Sequence, residues 1–312
     1  MQDVTGGQVQ VGTVAGGANS GGALTTTSDA IVLSNVQNVD LLHLHIVNVT
    51  GAGNDGIDID HTSTGTTAMD VTIDDLNLDA ASALGINLLA DNDAFNFALR
   101  LTSSDIDDAG VLMDVTGAGQ FGLLVDNTDI TTDAGLPGRA FDLQFHGGAT
   151  DGDVTIRNGS NFIARDGEGL FVDSFDATFK DIKLNIQDSS FIDSLGTELA
   201  TDIRSSGTSL MQVTIQGNTF TSAAATNDMV VQSSGTAASQ VRLNLGGDPS
   251  APTDFNNALG QGTFLVSQAG TSIFSIFERD ATITADTRNN QPVNDVGTFQ
   301  NLVVPPDLPV VP

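Results

Sequence analysis

The chain has 312 residues, with 34 Gly, 16 Phe and no Cys, Trp or Tyr, and its 10 Lys and Arg face 39 Asp and Glu for a formal net charge of −29. Without cysteine no disulfide staples the fold, and without clustered cations there is no surface for nucleic-acid phosphates or an anionic membrane. No run approaches the roughly 18 to 20 apolar residues of a spanning helix, so no membrane insertion is expected.

Residues 1–30 are rich in Gly, Thr and Ser with sparse Val, and read as an irregular first coil or cap. A repeating phrase then begins: two apolar residues separated by one position, a polar corner, and an apolar residue five positions further on. It appears as Leu42-His43-Leu44 to Val49, Val71-Thr72-Ile73 to Leu78, Leu99-Arg100-Leu101 to Ile106, and Leu123-Leu124-Val125 to Ile130. It continues as Val154-Thr155-Ile156 to Phe162, one residue late, then Leu184-Asn185-Ile186 to Phe191 and Val213-Thr214-Ile215 to Phe220. The second apolar residue recurs at intervals of 24 to 31 residues, the mark of a repeat architecture.

A second apolar segment follows in every period, often led by glycine: Gly56-Ile57-Asp58-Ile59, Gly85-Ile86-Asn87-Leu88, Gly110-Val111-Leu112-Met113, Ala140-Phe141-Asp142-Leu143, Gly169-Leu170-Phe171-Val172, Leu199 to Ile203, and Asp228-Met229-Val230-Val231. Alternation over four or five residues reads as strand. The corners, including Asp74-Asp75, Thr102-Ser103, Asp126-Asn127, Asn158-Gly159, Gln187-Asp188, Gly217-Asn218 and Gly246-Gly247, are turn formers because Asn and Asp bond their own backbone and Gly accepts positive φ. These elements predict an all-β chain: a single right-handed parallel β-helix of about 29 residues per coil and roughly eight to ten coils, over residues 31–285, with coils about 4.8 Å apart. The period loosens at the insertion Gly246 to Pro252, Phe264-Leu265-Val266 arrives late, and Ile273 to Phe277 and Ala281 to Thr284 are expected to complete the last coil. Residues 286–312 form a polar segment ending in a proline-rich, extended tail or linker, Val303 to Pro312.

Phrases such as Val213-Thr214-Ile215-Gln216-Gly217-Asn218-Thr219-Phe220 resemble the coils of the pectin-lyase-like right-handed β-helix superfamily, most closely its large repetitive bacterial surface and autotransporter-passenger-like members. The resemblance covers about residues 30 to 270. It implies a coil, and leaves lyases, glycosidases, tailspikes, adhesins and stalks all open.

Gly53-Asn54-Asp55-Gly56-Ile57-Asp58 resembles the Asn-x-Asp-Gly-x-Asp segment of polygalacturonases with one residue missing. The Gly-His-Gly and Arg-x-Lys that complete that family's site have no counterpart, since Phe145-His146-Gly147-Gly148 has the wrong order. Lyase chemistry needs a basic residue beside calcium, and the two lysines, Lys180 and Lys183, read as salt-bridge partners of Asp176, Asp181 and Asp188. His43 and His45, two apart, are expected on one strand face, and with His61 and Asp58 or Asp60 they compose a candidate transition-metal set that competes with a plain exposed face. Asn48-Val49-Thr50 and Asn158-Gly159-Ser160 match the N-glycosylation pattern.

The repeat register stacks Asp105 on Asp129, and two carboxylates so close repel unless screened, protonated or bridged by Ca²⁺. They are the candidate metal site; no other cofactor is called for. The expected function is a non-enzymatic structural or adhesive module, extracellular or at the cell surface, self-associating end to end through coil ends near residues 1–40 and 260–312. The alternative is a carbohydrate-active or carbohydrate-binding β-helix whose partner is a cell-surface glycan. The absence of Trp and Tyr argues against it, because those rings stack on sugars.

Overall fold

Alternation inside each repeat is realised as strands that pair with the same segment one period away. The computed structural model describes residues 9–13, 20–62, 68–91, 96–117, 119–132, 138–148, 150–175, 178–194, 198–223, 227–247, 255–259, 262–277, 289, 293–302 and 305–312. The chain is an all-β parallel β-solenoid of about 29 residues per turn and about eight turns, walled by three parallel sheets. The first wall, the anchor sheet, has eleven strands, among them Met69–Asp74, Phe97–Thr102, Gln120–Asp126, Asp151–Arg157, Lys180–Gln187 and Ser209–Gln216. The second, of nine short strands, includes Asp105–Ile106 and Asp129–Thr131; the third, of ten strands, includes Ile57–Thr62, Phe141–Phe145 and Leu170–Ser174. The sheets extend into both terminal segments, through Val9–Gly12 and Gly22–Thr26 at one end and Val293–Val296 and Phe299–Leu302 at the other. The expected strand at Ala281 to Thr284 and the insertion residues Asp248 to Pro252 lie outside the described residues.

The anchors keep strict register, Ile73, Leu101, Val125, Ile156, Ile186, Ile215 and Leu245 being successive partners. The first repeat is a correction. Leu41, not Leu44, pairs with Ile73, and Ile46, not Val49, pairs with Leu78. Val39-Asp40-Leu41 and Leu42-His43-Leu44 fit the same local pattern, and His43 takes the corner that Asp, Asn, Ser or Gly fills elsewhere, at φ 54°. His43 and His45 therefore do not share a strand face.

Inward-pointing Val, Ile, Leu and Phe make one continuous core along the axis, each large side chain contributing about 1.5–3 kcal/mol of burial. Phenylalanines stack coil on coil: ring centroids are 5.2 Å apart for Phe162 and Phe191 and 5.4 Å for Phe191 and Phe220. Four strands of the third wall start at or beside a glycine, Gly56, Gly85, Gly110 and Gly169, where successive coils touch. A Cβ on Gly56 would collide with the Leu78 side chain and lie 2.6 Å from the Gly85 carbonyl oxygen.

The corner between the first two walls turns on a left-handed residue in coil after coil: Asp75, Ser103, Asn127, Asn158, Asp188, Gly217 and Gly246 all have φ between 49° and 78°. The residue after the turn points inward and builds a polar ladder. Ser104 Oγ accepts from Leu76 N at 3.2 Å and Ser160 Oγ from Thr128 N at 3.2 Å. Asn218 Oδ1 accepts from Ser189 N at 3.0 Å and Asn256 Oδ1 from Asn218 N at 3.0 Å, while Asn256 Nδ2 donates to Asn289 Oδ1 at 2.8 Å. The backbone N–H groups of Leu76, Thr128, Ser189 and Asn218 thus find an acceptor from the next coil.

Residues 305–312 return along the outside of the anchor sheet. Asp307 N donates to Gln212 Oε1 at 3.1 Å, and Arg100 Nε donates to the Pro312 carbonyl oxygen at 2.8 Å. The proline-rich segment expected as an extended linker is laid against the solenoid wall.

Candidate functional site

The register brings Asp105 and Asp129 together as direct partners on adjacent short strands, at a strand spacing of about 4.8 Å. Burial, then Asp129 and Asp79, raise the Asp105 pKa above the ordinary carboxylate range. Asp129 is raised by burial and then by Asp107. The pair is the acidic ridge expected of the stacking, and among the described residues no group of three or more His, Asp or Glu is placed to hold a metal ion.

The histidines are dispersed. His43 Nδ1 meets Asp75 Oδ2 at 2.7 Å and His45 Nε2 meets Asp79 Oδ2 at 2.8 Å, each reaching one coil onward. His61 is buried against the Phe97 ring at 5.7 Å, and His146 stacks on Phe175 at 4.9 Å with Asp114 at 3.1 Å. The transition-metal set is not assembled, because its members sit on a corner, a second-wall strand and the core.

Asp55 and Asp58 hold the fold at the polygalacturonase-like segment. Asp55 Oδ1 accepts from Leu84 N at 2.9 Å, and Asp55 N donates to Asp29 Oδ1 at 2.8 Å. Asp58 accepts from Asn87 Nδ2 at 3.2 Å, and burial, reinforced by Asp60, Asp55 and Asp29, pushes its pKa to about 6. Of the lysines, Lys183 meets Asp153 at 3.4 Å, and buried Lys180 donates to the Phe175 and Thr178 carbonyl oxygens at 2.9 and 3.1 Å. Asp153 replaces the expected partners because it lies opposite Lys183 on the neighbouring strand; Asp176 lies outside the described residues. In the second sequon the Asn158 amide donates to Asp126 at 2.8 Å.

A charged patch that no motif announced lies on the third wall. Arg139 donates to Asp142 at 2.7 Å and Glu168 at 2.9 Å, and its guanidinium lies 3.4 Å from the centre of the Phe171 ring. Arg204, paired with Asp202, flanks the same ring at 5.3 Å. Phe171 points outward yet is buried, so the arginines close over it by cation–π stacking. Beside it a groove of about 400 Å³ is lined by Arg139, Asp142, Asp166, Glu168 and Glu198. Two of its carboxylates, Asp142 and Glu168, bond Arg139, and the one ring at hand is covered. Chemically the patch ties coils together.

The coil ends present apolar side chains that are only partly covered. Apolar residues that pack on the core while only partly buried are Val9, Val11, Leu24, Ala30 and Ile31 at one end and Val293 and Phe299 at the other. All lie in or beside the outermost strands of the three sheets, with Val32 and Val296 exposed next to them. Comparison with protein-family models, with curated proteins and with solved structures gives no match for this chain.

Proposed function

We propose that this chain is a non-enzymatic structural or adhesive module of an extracellular or cell-surface protein, and that it self-associates end to end into a rod or fibre. The observation that carries the reading is the partly covered apolar layer at each coil end, against a core whose other described members are buried. A second copy stacked on either end extends the parallel ladders and the apolar column together, a heterologous contact that does not close. The likeness of the coils to the pectin-lyase-like right-handed β-helices of bacterial surface proteins supports the same reading, as does the acidic exterior, which keeps a long solenoid soluble.

About eight turns at about 4.8 Å make a spacer on the order of 40 Å per copy. Negative-stain microscopy over a concentration series tests the assembly. Rods longer than one copy, shortened by Ile31→Lys or Phe299→Lys at the ends, are expected; dispersed short rods at every concentration would overturn it.

A further inference from the structure

The outer face of the anchor sheet is a track that an extended segment already occupies. Asp307 and Gln212 bond twice, at 3.1 and 3.5 Å, and Arg100 holds Pro312 at 2.8 Å. Between those crossings lie four strand steps, from Ser209–Gln216 to Phe97–Thr102, or roughly 19 Å at strand spacing. Pro312 sits over Gly122, three of those steps or roughly 14 Å from Ser209–Gln216, a distance that five extended residues span, and the long Arg100 side chain reaches across the last step. Prolines 305, 306, 309 and 312 preset that extended form and lower the entropy lost on docking.

The wall beneath is shaped for it. An outward row of register partners, Leu124, Thr155, Asn185, Thr214 and Asn244, is only 2 to 9% exposed although it faces away from the core. Gly122 leaves room for the Pro312 ring. Yet the segment turns its own apolar side chains to water: Leu308, Val310 and Val311 are 58, 71 and 42% exposed.

We propose that this track also takes residues 305–312 of a second copy, so that neighbouring molecules exchange tails and strap side to side. A tail docked by a few polar contacts makes the same contacts in another copy, and concentration then sets the balance between the two arrangements. The exposed Leu308, Val310 and Val311 give the exchanged pair further apolar surface to bury. This contact uses a side wall and stands apart from end-to-end stacking.

The absence of cysteine makes the test direct. A Cβ on Gly122 would lie 3.1 Å from Pro312 Cβ, within a few tenths of an ångström of disulfide spacing, about 3.5–4.5 Å. Full-length Gly122→Cys and a tagged Pro312→Cys chain are mixed under diamide. The expected result is a disulfide heterodimer that rises with concentration, stands at least tenfold above a Gly122→Cys and Ala237→Cys control, and falls to that control when Arg100→Ala and Gln212→Ala are added. Heterodimer at the control level at every concentration, with a third chain carrying both Gly122→Cys and Pro312→Cys closing only on itself, would overturn exchange. Failure of that chain to close would overturn the track altogether. Should Gly122→Cys disturb the wall, Gln212→Cys with Asp307→Cys reads the other crossing. Microscopy of the same mixtures separates this contact from end stacking, because rods can grow without tail cross-links.

Discussion

Asn218 is the residue on which the corner ladder can be tested. Its Oδ1 accepts from Ser189 N at 3.0 Å, and its Nδ2 donates to the Ile186 and Gln216 carbonyl oxygens, both at 2.9 Å. Asn218→Ala leaves the Ser189 N–H buried without that acceptor, costing about 1–3 kcal/mol, and removes side-chain donors worth about 0.5–1.5 kcal/mol net each. We expect a loss of about 2–6 kcal/mol on this arithmetic. Asn218→Ser should recover part of it, because Ser104 and Ser160 already serve as acceptors at equivalent corners. Urea unfolding reads the total, and hydrogen exchange at the Ser189 amide reads the local term. A local opening made easier by about 2 kcal/mol corresponds to roughly thirtyfold faster exchange. Unchanged exchange at Ser189 in Asn218→Ala, or a Ser variant as unstable as the Ala variant, would refute the ladder as the force that holds the corner.

Other consequences are open to the same treatment. Phe191→Ala removes a ring stacked between Phe162 and Phe220 and is expected to cost about 3–5 kcal/mol; a loss under 1 kcal/mol, well below that range, would mean that the column does not behave as a close-packed core. Ser103, exposed at φ 50°, bears part of the roughly 1–2 kcal/mol left-handed penalty. Ser103→Gly should therefore raise the urea midpoint slightly and Ser103→Val lower it; identical midpoints would remove strain from the account. The Asp58 pKa lies near 6 when folded, against 3.8 for the free side chain. Between those values the folded state binds more protons, so stability falls as pH rises from about 4 to about 6. The melting temperature should be higher at pH 5 than at pH 7, and Asp58→Asn should flatten the difference; a higher melting temperature at pH 7 in both chains contradicts the sign. Asp105→Asn, which relieves the stacked pair, should raise the melting temperature at pH 7 in calcium-free buffer, and a fall would show that the two carboxylates are not in conflict.

The electrostatic design was partly legible one period away in sequence. Arg100 bonds Asp70 at a separation of 30 residues, Arg139 Glu168 at 29, Arg157 Asp126 at 31 and Lys183 Asp153 at 30. Each cation sits one coil from its acid. A search for opposite charges at the repeat interval finds these pairs, whereas a search for nearby acids finds Asp181 and Asp188 instead.

What the sequence determined by itself is the solenoid: its period, its walls, its polar corners and the stacking of Asp105 on Asp129. Strand alternation and turn chemistry are local, and a repeat imposes the same local solution on every coil, so register follows from counting. Tertiary structure alone decided three things. It chose between two equally patterned triplets in the first repeat, because only pairing with Val71 and Ile73 tells Leu41 from Leu44. It closed arginines over Phe171, an arrangement that depends on side-chain reach between coils. It laid the proline-rich segment on the anchor wall, since a chain without its own periodicity carries no mark of the surface it crosses, and its contacts with Gln212 and Arg100 span 95 and 212 residues.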